Sequence, residues 1–220
     1  MIKENELFEL FDRLGIFSKD RLLYPDLPAP LEQRDRINML VGYLTTHQTE
    51  GMFRISSSHE QINAVLNSPD IHGISDVHAV ANALKTLWRE STIVPKHLYL
   101  PFLRCLYFKS TVSRIDFLKR LISLLDPERR ELLRQVVTVA QGLVESGQCR
   151  LDGQGMAVLL APVIFSKRQE VLLNGFPSSI EQSDPGLSGD PIPSDLQLRE
   201  FDWMIQVFQF LQSHCKRILK

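Results

Sequence analysis

The sequence predicts an all-α fold, and three observations support this prediction. Apolar residues recur at spacings of three and four along several stretches, which places them on one face of a helix. Asp126-Pro127 pairs a helix N-cap residue with a proline suited to the first helical position. No convincing series of alternating strands is visible. With 220 residues, 44% of them hydrophobic, the chain can bury one core without disulfides or metals.

Two helices in the first half of the chain are predicted from their apolar stripes. The first extends from Arg34 to His47, and its stripe consists of Ile37, Leu40, Val41 and Leu44. The second extends from Asp76 to Arg89, and its stripe consists of Val77, Val80, Ala81, Leu84, Leu87 and Trp88.

Four more helices are predicted in the second half. One opens at Asp126-Pro127 and ends at Gly147, a residue suited to the C-terminal cap. The others are expected near 113–125, 153–166 and 197–218. Between the last two, Asn174 to Ser194 is rich in glycine, proline and serine, which predicts a long flexible loop. We therefore expect one domain over residues 1–220, with its core at about 27–215 and the flexible loop at 174–194.

Composition and charge narrow the class of protein. A formal net charge of −1 argues against a strongly basic nucleic-acid binder. The three cysteines (Cys105, Cys149 and Cys215) are widely separated, which fits a reducing compartment such as the cytoplasm. The longest apolar stretch, Met156 to Phe165, is too short to span a bilayer. The segment from Lys85 to Arg134 contains eleven Lys and Arg residues but only five Asp and Glu residues. This excess predicts one basic surface or, more simply, solvated charges that do not form a common patch.

A single arginine stands out in the stretch EGMFRISSSHEQ, residues 50–61. Ser57 and Glu60 fit a capping box, so a helix should begin just after Ser57 and leave Arg54 in a short loop between two helices. Gly51 permits an unusual backbone conformation there, and three apolar neighbours can anchor the loop: Met52, Phe53 and Ile55. An arginine on an anchored loop suits an inserted catalytic cation. From these residues alone, an ordinary exposed arginine is the simpler interpretation.

Two further cations, Lys85 and Arg89, lie four residues apart on one face of the predicted helix at 76–89. Because like charges at this spacing repel, we expect compensation by a partner's carboxylates or by the carbonyl groups of a neighbouring loop. A pair of solvated cations is the alternative.

Taken in order, these segments resemble the RhoGAP domain, the GTPase-activating module for Rho-family small GTPases. Residues 50–56 match most of the family's finger motif, roughly E-G-[IL]-[FY]-R-x-S-G, and residues 78–81 and 84–90 closely fit its helix motif, roughly H-x-V-A-x-x-L-K-x-[FY]-[LF]-R-E-L. Residues 93–99 and 156–162 are similar to two later family segments. The resemblance covers about residues 27–215 apart from the loop at 174–194. The sequence departs from the family pattern at four places. Ser57 stands where the family has glycine, Gly155 and Val163 stand where it has asparagines, and Ser91-Thr92 stands where it has Leu-Pro.

The resemblance implies an all-α multi-helix domain that stimulates GTP hydrolysis by a Rho- or Rac-like GTPase. Arg54 would be the arginine finger inserted in trans, and Lys85 and Arg89 would fix the finger loop and meet the GTPase switch regions. No cofactor or metal is implied for this chain, because GTP and Mg²⁺ belong to the partner. The expected protein is a monomer in the cytoplasm, recruited to membranes by its partner or by flanking regions.

Two other functions stay open at this point. The departures, Gly155 above all, favour a GAP-like adaptor that binds GTPases without useful catalysis, whereas the retained Arg54 favours an active GAP. A metabolic enzyme is less favoured, because the six histidines (His47, His59, His72, His78, His97 and His214) show no metal-binding spacing, and neither a phosphate-binding loop nor a nucleophile elbow is present.

Overall fold

The computed structural model describes residues 31–71, 73–165 and 194–219, and the regular structure in these ranges is entirely helical, which confirms the predicted class. The α-helices are α1 (Leu31–Thr46), α2 (His59–Asn67), α3 (Val77–Glu90), α4 (Lys96–Arg104), α5 (Thr111–Ser123), α6 (Pro127–Ser146), α7 (Gly153–Ile164), α8 (Ser194–Ser213) and α9 (Cys215–Ile218). A 3-10 turn (Cys105–Tyr107) follows α4. The loop predicted at 174–194 lies outside the described residues, except for Ser194 itself.

Helix α7 lies at the centre of the core, as its apolar sequence predicts. It packs against α3, α6 and α8, and Met156, Leu160 and Val163 on it are fully buried. Helices α1 and α2 also pack against α3. Helix α3 therefore contacts the central helix and also both helices that flank the segment carrying Arg54.

The ends of α6 follow the predicted signals closely. The Asp126 side chain accepts a hydrogen bond from the backbone N–H of Arg129 at 2.8 Å, and Pro127 occupies the first turn. The helix stops at Gly147, whose φ of 69° is the left-handed conformation that glycine adopts without strain.

The predicted capping box at Ser57 and Glu60 is wrong by one residue. Ser58 is the N-cap of α2: its side chain accepts from the backbone N–H of Gln61, and the Gln61 side chain accepts from the N–H of Ser58 at 2.9 Å. The Gln61 amide also donates to Asp76 at 3.1 Å, just before α3. A glutamate could not donate that second bond, which gives glutamine the advantage at this position.

Many of the Lys and Arg side chains between residues 85 and 134 form hydrogen bonds or ion pairs within the chain. Arg114 donates to the Phe108 carbonyl at 2.7 Å and its guanidinium lies over the Phe210 ring. Arg129 pairs with Asp126, Arg130 donates to the carbonyl of Leu125, and Arg134 pairs with Glu131. These cations cap carbonyls or pair with local carboxylates, so they do not assemble into one open basic face.

Candidate functional site

A tight turn over residues 49–55, here called the Arg54 turn, joins α1 to the start of α2. The carbonyl of Gly51 accepts hydrogen bonds from the N–H groups of both Arg54 and Ile55 at 2.9 Å. Two residues of the turn have positive φ: Gly51 at 75° and Phe53 at 64°. The left-handed conformation is ordinary for glycine but uncommon for phenylalanine, so the turn is held by contacts outside it.

Buried side chains provide part of that support. Met52 and Phe53 are almost completely buried, and the Phe53 ring stacks on Trp88 of α3 with 6.0 Å between centroids. Ile55, in contrast, does not anchor the turn as the sequence suggested, because 45% of it is exposed. Its side chain instead lies over Gly51, where an added Cβ would approach Ile55 Cδ1 to 2.7 Å.

Helix α3 holds the backbone on both sides of Arg54. Lys85 Nζ donates to the carbonyl of Phe53 at 3.3 Å, and Asn82 Nδ2 donates to the carbonyl of Ile55 at 2.8 Å. The two carbonyls that flank Arg54 in sequence are thus tied to one helix. Sequence reasoning singled out Lys85 but missed Asn82. The available signal was its position three residues before Lys85, on the same helical face.

The Arg54 side chain is exposed, and its guanidinium lies near Gly51, where an added Cβ would be 3.7 Å from Arg54 Nη2. Among residues 31–71, 73–165 and 194–219, no acidic side chain forms an ion pair with it. Arg89, also exposed, lies in the last turn of α3. Partial burial chiefly, and secondly the charge of Arg89 one helical turn further along α3, lower the pKa of Lys85.

A second turn, residues 147–150, lies beside the first. The Gly51 N–H donates to the carbonyl of Cys149 at 3.2 Å, and Glu50 forms an ion pair with Arg150 at 3.0 Å. Helix α7 begins just beyond, where the Asp152 side chain caps the N–H of Gly155 at 2.7 Å. Gly155 therefore lies at the start of α7, close in sequence to the turn that contacts the Arg54 turn.

Three residues that differ from the family pattern, two at the end of α3 and one within α7, have structural roles in this chain. Thr92 has φ of 47°, a value that proline cannot adopt, and its carbonyl accepts from Arg129 Nε at 3.1 Å. Ser91 is buried and its hydroxyl donates to the carbonyl of Leu87 at 2.7 Å. Val163 is fully buried in the core. These residues serve the packing of this chain, and Gly155 is the departure that leaves a functional question.

Two further properties of the described residues are the apolar length of their helices and the grouping of their potential metal ligands. None of their helices is both long and apolar enough to cross a bilayer. Within the same part of the chain, no three His, Cys, Asp or Glu side chains cluster in a way that could hold a metal ion.

Comparisons with known proteins agree on one family. The model of the RhoGAP domain matches residues 35–169. Two Rho GTPase-activating proteins of Dictyostelium discoideum, gacY and gacN, are 26% and 28% identical over 59% and 62% of this chain, and the matches span only 20% and 24% of their own length.

Solved structures show the same fold. Human Rho GTPase activating protein 15 matches with a TM-score of 0.66 and 14% identity over 83% of this chain and 82% of its own. The BH domain from GRAF, the GTPase regulator associated with focal adhesion kinase, matches with a TM-score of 0.67 and 13% identity over 88% and 97%.

Proposed function

Since the chain belongs to the RhoGAP domain family, we propose that it stimulates GTP hydrolysis by a Rho- or Rac-like small GTPase. The observation that carries this proposal is the presentation of Arg54. One exposed guanidinium stands on a turn whose two flanking carbonyls are both hydrogen-bonded to α3. Such a side chain can reach into a partner's nucleotide pocket while the backbone beneath it stays fixed.

In this proposal, Arg54 acts by electrostatic stabilisation of the transition state. Charge that builds on the phosphate oxygens during GTP hydrolysis is stabilised by a guanidinium, which donates two parallel hydrogen bonds. An arginine finger contributes about 10³ to 10⁵ in rate. That factor corresponds to about 4–7 kcal/mol of barrier. The nucleotide and Mg²⁺ are the partner's, and this chain forms no covalent intermediate.

Lys85 and Arg89 have different tasks in this proposal. Lys85 holds the turn through the Phe53 carbonyl, while the exposed Arg89 meets the switch surface of the GTPase. The chain acts as a monomer that buries on the order of 1,200–2,000 Å² against its partner. The proposed location is the cytoplasm, with recruitment to membranes through the GTPase or through flanking regions.

A second candidate function rests on Gly155. The family asparagine at this position supplies a polar side chain near the finger, and glycine supplies none. If hydrolysis requires that polar side chain, the chain binds GTPases as an adaptor without accelerating GTP hydrolysis. Substitution back to asparagine is constrained, since a Cβ at Gly155 would lie 3.2 Å from Asp152 Oδ1.

A single-turnover assay with a panel of GTP-loaded Rho-family GTPases separates the two functions. We expect at least one member to be accelerated by the wild type and not by Arg54→Ala. Arg217→Ala is the matched control, because Arg217 is equally an exposed arginine but lies in α9, which packs on α5, α6 and α8. Binding without acceleration across the panel would establish the adaptor instead.

A further inference from the structure

Arg150 combines three features that its contribution to the fold does not explain. Its backbone has φ of 50°, its side chain is 75% exposed, and it forms an ion pair with the likewise exposed Glu50 at 3.0 Å. A left-handed residue other than glycine is strained, and glycine would fit the position without that strain. One solvent-exposed ion pair adds little stability. An arginine kept under these conditions points to a use for its charge outside the fold.

The position of Arg150 shows where that use lies. The turn at 147–150 is fastened to the Arg54 turn by the Gly51–Cys149 backbone hydrogen bond and by the Glu50–Arg150 ion pair. Arg150 and Arg54 therefore stand on two neighbouring turns that two polar contacts join. The Glu50 carboxylate contacts Nη1 of Arg150, which leaves other N–H groups of the guanidinium to donate to a partner.

We propose that Arg150 is a partner-contact residue that binds a carboxylate on the GTPase surface beside the nucleotide pocket, with Glu50 as its positioning residue. This inference rests on the proposed function, because the partner is the one that Arg54 enters. Arg150 is distinct from the finger in what it controls. Since its contact exists in the complex before and during hydrolysis, it sets how tightly the GTPase binds and leaves the maximal rate unchanged.

The test measures GTP hydrolysis against chain concentration for wild type, Arg150→Gly, Arg150→Lys and Arg54→Ala. Arg150→Gly should raise the half-saturating concentration about tenfold, keep the maximal rate within twofold, and leave the melting temperature equal or higher, because glycine relieves the backbone. Arg150→Lys should recover part of the affinity. Glu50→Gln should weaken binding by a smaller factor than Arg150→Gly.

The outcomes separate this inference from the function itself. If Arg150→Gly saturates at the wild-type concentration while Arg54→Ala abolishes acceleration, Arg150 makes no partner contact and the finger assignment stands. If Arg150→Gly lowers the melting temperature and the maximal rate together, Arg150 is a structural residue. If the wild type neither binds nor accelerates any GTPase of the panel, both proposals fail.

Discussion

At the scale of single residues, Gly51 is the position where the Arg54 turn tolerates least change. Alanine there would take a φ of 75° and place its Cβ 2.7 Å from Ile55 Cδ1. We expect Gly51→Ala to lower the free energy of unfolding by about 2 kcal/mol. It should also reduce GTPase stimulation, since Arg54 is three residues away. Urea denaturation measures the first effect and the single-turnover assay the second.

Gly42 offers the matched control for this substitution. It lies within α1, is exposed, and an added Cβ would meet nothing within 4 Å. Gly42→Ala should therefore raise the free energy of unfolding by roughly 0.5–1 kcal/mol, through helix propensity alone. Equal losses of stability in both variants would contradict the description of the Arg54 turn.

The cysteines provide a second prediction at this scale. Cys105 and Cys149 are buried, whereas Cys215 is partly exposed. In the folded protein at pH 8, a thiol reagent should modify Cys215 and leave the other two intact, because reaction requires an accessible thiolate. Cys215→Ser should remove the reactivity. Fast labelling of more than one thiol in the folded protein would contradict the burial of Cys105 and Cys149.

Cys105 also predicts how stability depends on alkaline pH. Burial raises the pKa of its thiol to about 12, and the nearby Arg114 only partly opposes this. As pH rises, the Cys105 thiol loses its proton in the unfolded chain at a lower pH than in the folded protein. The contribution of this group to the free energy of unfolding is therefore complete below about pH 9 and is lost as pH rises towards 12. The slope of unfolding free energy between pH 9 and 11 should be shallower in Cys105→Ala. An identical slope would assign the alkaline loss to other groups.

At the scale of elements, α3 is the part that unites fold and site. Asp76 caps it by accepting from the N–H groups of His78 at 2.9 Å and Ala79 at 3.1 Å. The same carboxylate accepts from Gln61 of α2. Asp76→Ala should therefore cost about 1–2 kcal/mol of unfolding free energy. Asp76→Asn retains a capping oxygen and should cost less than half as much, and a loss below about 0.3 kcal/mol in Asp76→Ala would contradict this role.

How well each helix could be predicted depended on where its determining interactions lie. The start of α6 at Asp126-Pro127 and its end at Gly147 depend on neighbouring residues, and both were predicted correctly. The start of α2 is also set by neighbouring residues, but the pairs Ser57/Glu60 and Ser58/Gln61 both fit a capping box. The second pair forms, so the prediction missed by one residue. Helix α4 contains Pro101, which interrupts the usual pattern, and its periodicity was not singled out.

At the scale of the whole molecule, the candidate site is assembled from three separate segments. Residues 49–55, α3 and the turn at 147–150 meet only through tertiary contacts. The resemblance identified Arg54, Lys85 and Arg89 from short motifs. Asn82 was missed although it lies on the same helical face as Lys85, and its role follows from its contact with the carbonyl of Ile55. Arg150 carried no motif that was recognised, because its position becomes informative only once the backbone places the carboxylate of Glu50 beside it.

The most direct test of the account is the rate of GTP hydrolysis by a responsive GTPase at saturating concentrations of wild type and of Arg54→Ala. Saturation removes any difference in binding, so the ratio reports only what the guanidinium does in the transition state. We predict a loss of about 10³-fold or more in Arg54→Ala, with little recovery in Arg54→Lys because an ammonium lacks the planar fork. Equal maximal rates for wild type and Arg54→Ala would contradict the assignment of Arg54 as the catalytic arginine.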